Sequence, residues 1–241
     1  NRGARHYEDL ARANLARARA LPAALGRRFI LVDVASQELW LYENGKPAQS
    51  MRVVVGKPAT ATPAMVGVMR YALFNPYWNV PPDLVRERVA VRYLKEGQAY
   101  FDAEGMEALS DWTDAAHVLD PRQIDWKAVA AGKRELRVRQ RPGAHNMMGQ
   151  VKLMLPNELG IYLHDTPNRE LFAEAERAFS AGCVRLEDAM ALAGALVGES
   201  KAAAAVAAGG ETRLNLARPA PVYIAYLAPA PVRTGGLAFH P

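Results

Sequence analysis

From Phe29 onward the apolar positions follow a strand-like pattern. Residues 29–34 (FILVDV), 38–42 (ELWLY), 50–55 (SMRVVV) and 67–74 are short runs rich in β-branched and aromatic residues. Between the second and third runs, Glu43-Asn44-Gly45-Lys46 predicts a two-residue hairpin turn. Gly56 and Pro58 stop the third run. Strand-like runs return at 150–155 and 160–164, and again as an expected pair at 212–216 and 221–227. Helical spacing appears in three places. Residues 7–25 carry Leu10, Ala11, Leu15 and Ala18 on one stripe, closed by Pro22 and Gly26; residues 186–197 and 201–208 are the other two.

Residues 83–141 break this pattern. They are polar, charged and helix-biased, with amphipathic pieces around 84–95, 103–109 and 124–131. The expectation is a helical lid inserted into a β-rich unit, not an independent domain. The expected organisation is an N-terminal helix at 1–26, a unit spanning 27–227 with its insertion at 83–141, and a loose Pro- and Gly-rich tail at 228–241. The expected fold class is α+β, mainly β.

Composition narrows the function. Half the residues are hydrophobic and 23% are charged, which suits a globular chain. The net charge of +5 is weak and its Lys and Arg are scattered, which argues against a nucleic-acid partner. No apolar run approaches the ~20 residues of a membrane span. The chain opens on Asn1 and shows no signal peptide, so the expectation is a piece of a longer protein whose targeting or anchoring segment lies elsewhere. Cys183 is the single cysteine, which excludes an internal disulfide and a cysteine-rich metal site. His117 and His145 are expected at the surface, with no spacing that makes a metal site with other histidines.

The candidate chemistry lies in IYLHDTP (161–167) and FSAGCVR (179–185). A thiol has a pKa of about 8.5 and needs help to attack a carbonyl at neutral pH. His164, at the end of an apolar strand, can take its proton. A helix starting near Leu186 and the Arg185 charge would favour thiolate. Gly182 lets the chain turn sharply, so that its N–H and that of Cys183 converge as an oxyanion hole.

His164, a fifteen-residue gap and then SAGCVR resembles the signature of the bacterial peptidoglycan L,D-transpeptidase catalytic domain. RVVVGK (52–57) with Thr62-Pro63, NPYWNVP (75–81) and RPGAHN (141–146) resemble its large Gram-negative branch, which carries a lid. The resemblance covers about residues 29–227. It implies a β-sandwich or mixed sheet with a helix after the catalytic cysteine. It also implies cleavage of a tetrapeptide stem at the terminal D-alanine through a cysteine thioester, with transfer to a second diaminopimelate to make a 3→3 cross-link. Carbapenems would acylate the same cysteine, and no metal or organic cofactor is implied. The expected partners are donor and acceptor peptidoglycan stems, met by a monomer in the periplasm that an absent segment would anchor to the membrane. One departure is Ala181, where the family often has His or Ser. L,D-carboxypeptidase activity or protein-to-wall attachment would use the same acyl-enzyme, and a non-enzymatic wall-binding module would not need Cys183. A papain-like protease would put Cys before His, the reverse of the order here.

Around that pair, Arg185 would grip a substrate carboxylate or pair with Glu187 or Asp188. Tyr162 shares a strand face with His164 and would line the cleft. Ser180 would brace the turn or touch substrate. Trp78, with Asn79, would form a cleft wall, and Asn146 would reach substrate from its loop. A carbonyl in the elbow would accept from the second ring nitrogen of His164.

Overall fold

The computed structural model of the chain describes residue 12 and residues 25–227, 230–231 and 237–238. The helix expected at 7–25 and nearly all of the tail lie outside the described residues. In order, the strands are β1 (Arg28–Asp33), β2 (Glu38–Glu43), β3 (Lys46–Gly56), β4 (Met65–Phe74), β5 (Trp78–Asn79), β6 (Met106–Leu109), β7 (Val118–Leu119), β8 (Arg137–Gln140), β9 (Val151–Met154), β10 (Leu163–His164), β11 (Ala178–Ser180), β12 (Val184–Leu186) and β13 (Thr212–Ala225).

β1 is buried on both faces. Ile30 and Val32 enter the main core, while Phe29 and Leu31 join Trp40 and Tyr223 on the other side. The Phe29 and Tyr42 rings stack at 4.8 Å. The Asn44-Gly45 turn has φ of +50° and +77°, the pair of positive angles that a two-residue hairpin requires.

The nine-stranded sheet runs β11-β3-β12-β10-β9-β4-β13-β1-β2, and β2 also pairs with β3. The sheet therefore closes on itself. Most neighbours are antiparallel, but β1–β13, β10–β12 and β3–β11 are parallel. This mixed, mainly β architecture is the expected class. Two helices, α4 (Ala189–Val197) and α5 (Glu199–Ala207), pack Leu192, Leu196, Ala202 and Ala205 onto the core. No single helix among the described residues is long and apolar enough to cross a membrane.

The expected pair of terminal strands is one strand, β13, with a register shift between Asn215 and Ala220. Pro219 lies within that shift, and Pro221 precedes the first residue of β13 that pairs with β1, Val222.

The segment from 75 to 150 replaces the loop of the β4–β9 hairpin. Its ends meet at the Phe74↔Val151 rung and the Asn75 N–H to Gln150 O bond of 2.9 Å. It holds a π-helical turn (Val85–Val89) and helices α1 (Ala90–Glu96), α2 (Gln98–Glu104) and α3 (Trp126–Ala130). It also holds a sheet of order β5-β8-β6-β7, which the sequence pattern did not reveal. Strands of two to four residues are too short to display a period of two. Its own core surrounds Tyr93, Phe101 and Trp126, with Tyr93 and Trp126 stacked at 4.4 Å.

Candidate active site

Register across the sheet builds the site. β10 pairs antiparallel with β9 and parallel with β12, so Lys152, His164 and Arg185 face one another along one row. Val184 N–H donates to Tyr162 O at 3.2 Å, which brings Tyr162 beside Cys183 one rung away. Leu163 and Val184 are fully buried in the main core. Alternation then puts Tyr162, His164, Cys183 and Arg185 on the opposite face.

The elbow is braced from two sides. Ser180 is buried; its hydroxyl donates to Cys183 O at 2.6 Å and accepts from Gly182 N–H at 3.0 Å. Thr62 Oγ1 donates to Gly182 O at 2.8 Å and accepts from Gly56 N–H at 2.9 Å. Lys57 N–H and Thr60 Oγ1 both donate to Ser180 O. Gly182 has φ of +123°, a conformation that a residue with a Cβ adopts only under strain.

Ser180 holds the turn, the first of the two roles weighed for it, and one expectation changes. The Gly182 N–H is spent on Ser180, so it is not an oxyanion donor. The Cys183 N–H has no acceptor among the described residues and remains available. Ser180→Ala should free the Gly182 N–H and loosen the elbow. The expected cost is about 1–2 kcal/mol of stability, read as a lower denaturation midpoint. Cys183 acylation should slow about ten-fold or more, because the remaining donor is misplaced.

Burial raises the Cys183 thiol pKa. Hydrogen bonds from the Tyr162 N–H and hydroxyl pull it back down, as do the Lys152 and Arg185 charges. The sulphur also lies 3.8 Å from Gly160 O. The expected helix contribution is absent. α4 starts at Ala189, after β12, and Asp188 caps it by accepting from Ala191 N–H at 3.0 Å. The field of a helix end fades within about one turn, so it does not reach Cys183.

His164 is 3% exposed, and its Nδ1 lies 2.5 Å from Asp165 O. A carbonyl only accepts, so Nδ1 carries the proton and Nε2 is left as the acceptor that a base needs. The anchoring carbonyl belongs to the next residue on β10's own side, not to the elbow. Burial, then Arg185 and Lys152, push the ring pKa down to about 3, so it is neutral at working pH. No hydrogen bond joins His164 to Cys183 among the described residues; such pairs are commonly long without substrate and tighten with it.

Arg185 forms no salt bridge among the described residues, and its Nε is buried without an acceptor. The ion pairs weighed for it do not form. Glu187 binds Arg52 on β3, with Arg52 Nε at 2.9 Å, and Asp188 caps α4. The guanidinium is thus left for a ligand.

Trp78 and Asn146 are not part of this cluster. Trp78 packs against the core of the insertion. Asn146 is 1% exposed; its amide donates to Pro76 O, Gln140 O and Arg141 O, and its oxygen accepts from Met148 N–H. It fastens the base of the insertion and has nothing left for substrate. Lys152 is the residue that sequence reasoning missed, since one lysine in an alternating strand carries no signal until the register is known. His117 and His145 are exposed, and among the described residues no group of three or more His, Cys, Asp or Glu is arranged to hold a metal.

Comparison with known proteins adds an independent line. Residues 27–224 match the YkuD L,D-transpeptidase catalytic domain. A Haemophilus influenzae protein named, provisionally, an L,D-transpeptidase is 36% identical over 171 residues, 71% of this chain and 34% of that protein. The chain therefore spans about a third of the length of that curated relative. An L,D-transpeptidase structure from Mycobacterium smegmatis is 11% identical, covering 82% of this chain and 58% of that one, with a TM-score of 0.36. The catalytic domain of an Enterococcus faecium L,D-transpeptidase acylated by ertapenem is 15% identical, covering 84% and 99%, with a TM-score of 0.36.

Proposed function

This chain belongs to the L,D-transpeptidase catalytic domain family, and from that membership we propose that it joins peptidoglycan stems by 3→3 cross-links through a thioester on Cys183. The observation that carries the reading is the β10–β12 register. It gathers the thiol, Tyr162, a neutral imidazole and an unpaired guanidinium on one face.

In the first half-reaction the Cys183 sulphur attacks the carbonyl of the third stem residue. The thiol proton passes to His164 Nε2, and the oxyanion is held by the Cys183 N–H and the Tyr162 hydroxyl. The C–S bond forms, the C–N bond to D-alanine breaks, and His164 returns the proton to the leaving amine. In the second half the side-chain amine of another diaminopimelate attacks the thioester. His164 takes a proton from that amine and gives it to the departing sulphur. Arg185 grips a stem carboxylate by charge-assisted hydrogen bonds. A carbapenem would acylate the same sulphur. The substrate lies outside the cytoplasmic membrane, which puts the proposed reaction in the periplasm.

The test is incubation with disaccharide tetrapeptides and analysis of the products. The expected products are free D-alanine and 3→3 dimers. Tripeptide with D-alanine but no dimer would replace cross-linking by L,D-carboxypeptidase activity.

A further inference from the structure

One cation beside the sulphur has no part in the steps above. Lys152 lies on β9 and faces His164, which faces Arg185 on β12. Its ammonium stands 3.8 Å from the centroid of the Tyr162 ring. Tyr162 lies one rung from Cys183 across the β10–β12 pairing, and its hydroxyl favours the ionised sulphur by pulling the thiol pKa down. No salt bridge neutralises Lys152 among the described residues. A largely buried ammonium without a salt-bridge partner is costly, and a cation over an aromatic face recovers only part of that cost. The developing thiolate supplies the missing negative charge.

We propose that Lys152 is a positioning residue of this site: its ammonium, stacked on the Tyr162 ring, steadies that hydroxyl against the Cys183 sulphur and supplies the positive charge that lets a buried sulphur ionise. The inference rests on reading Cys183 as the nucleophile. The other groups acting on the sulphur are Tyr162, just before β10, and Arg185 on β12, and His164 on β10 lies between Lys152 and Arg185 in the same row. Glu211 acts on Lys152, while Glu170 and, from the insertion, Arg88 act on Arg185. His164 is neutral throughout the useful range, so Lys152 and Arg185 carry the positive charge next to the sulphur.

The experiment is iodoacetamide alkylation of Cys183, followed by intact mass between about pH 5.5 and 9.5. It needs no wall substrate. Lys152→Met should move the midpoint of alkylation up by about one pH unit, and Lys152→Arg should stay near wild type. A wild-type midpoint in Lys152→Met, with a native near-ultraviolet circular dichroism spectrum, would overturn the proposal. Lys152→Gln is read in the same way if the Met variant does not fold. A wild-type Cys183 that resists alkylation at every pH would instead remove the nucleophile reading beneath it.

Discussion

Cys183→Ala is expected to give a folded protein that forms no adduct with meropenem and releases no D-alanine from tetrapeptide stems. The stability change should be small, within about 1 kcal/mol, because the sulphur's contact with Gly160 O is long and the elbow is held by Ser180 and Thr62. The activity loss should be at least about 10⁴-fold, since without the thiol no covalent intermediate exists and the remaining groups only bind and polarise. Intact-mass spectrometry reads the adduct directly. An adduct of undiminished yield in Cys183→Ala would remove the nucleophile assignment, because the chain has no second cysteine.

His164→Gln is expected to slow acylation by about 10²–10⁴-fold while leaving ground-state affinity for the stem nearly unchanged. The glutamine amide can still donate to Asp165 O, so the strand end stays anchored, but nothing accepts the thiol proton. The same variant should change acid stability. In the folded protein the ring pKa is held at about 3, and in the unfolded chain it returns to the ordinary histidine value. Below about pH 6.5 the unfolded chain therefore binds a proton that the folded chain does not, and stability falls by about 1.4 kcal/mol per pH unit on the way down towards pH 3. Above pH 6.5 neither state is protonated and this penalty is absent. His164→Gln has no such group, so its acid unfolding midpoint should lie at lower pH than wild type; an unchanged midpoint in acid titration would contradict the buried neutral ring.

The same electrostatics explain how catalysis could depend on substrate. Burial raises the thiol and depresses the imidazole, so proton transfer between them is uphill in the free protein. A stem carboxylate beside Arg185 would offset one of the two charges that depress His164, and the ring would become a better base once the site is filled. Binding and proton transfer would then be coupled through that guanidinium.

The alternation of apolar residues, the Asn44-Gly45 turn, the order of His164 and Cys183, and the glycine at the elbow are all properties of near neighbours along the chain. Their conformations follow from local sterics, so the strands and the hairpin could be read without the fold, and Cys183 and His164 could be singled out as the candidate nucleophile and base. What each polar group finally touches is a different kind of fact. Glu187 pairs with Arg52, a residue 135 positions away, and Asp188 caps α4, so neither pairs with Arg185. Gly182 gives its N–H to Ser180, Asn146 turns inward to fasten the insertion, and Lys152 enters the site only through the β9–β10 register. Strand pairing between distant segments decides the Arg52–Glu187 and Lys152 contacts, because it sets which side chains share a row, while the Gly182 and Asn146 bonds depend on turn conformations that residue types alone do not specify.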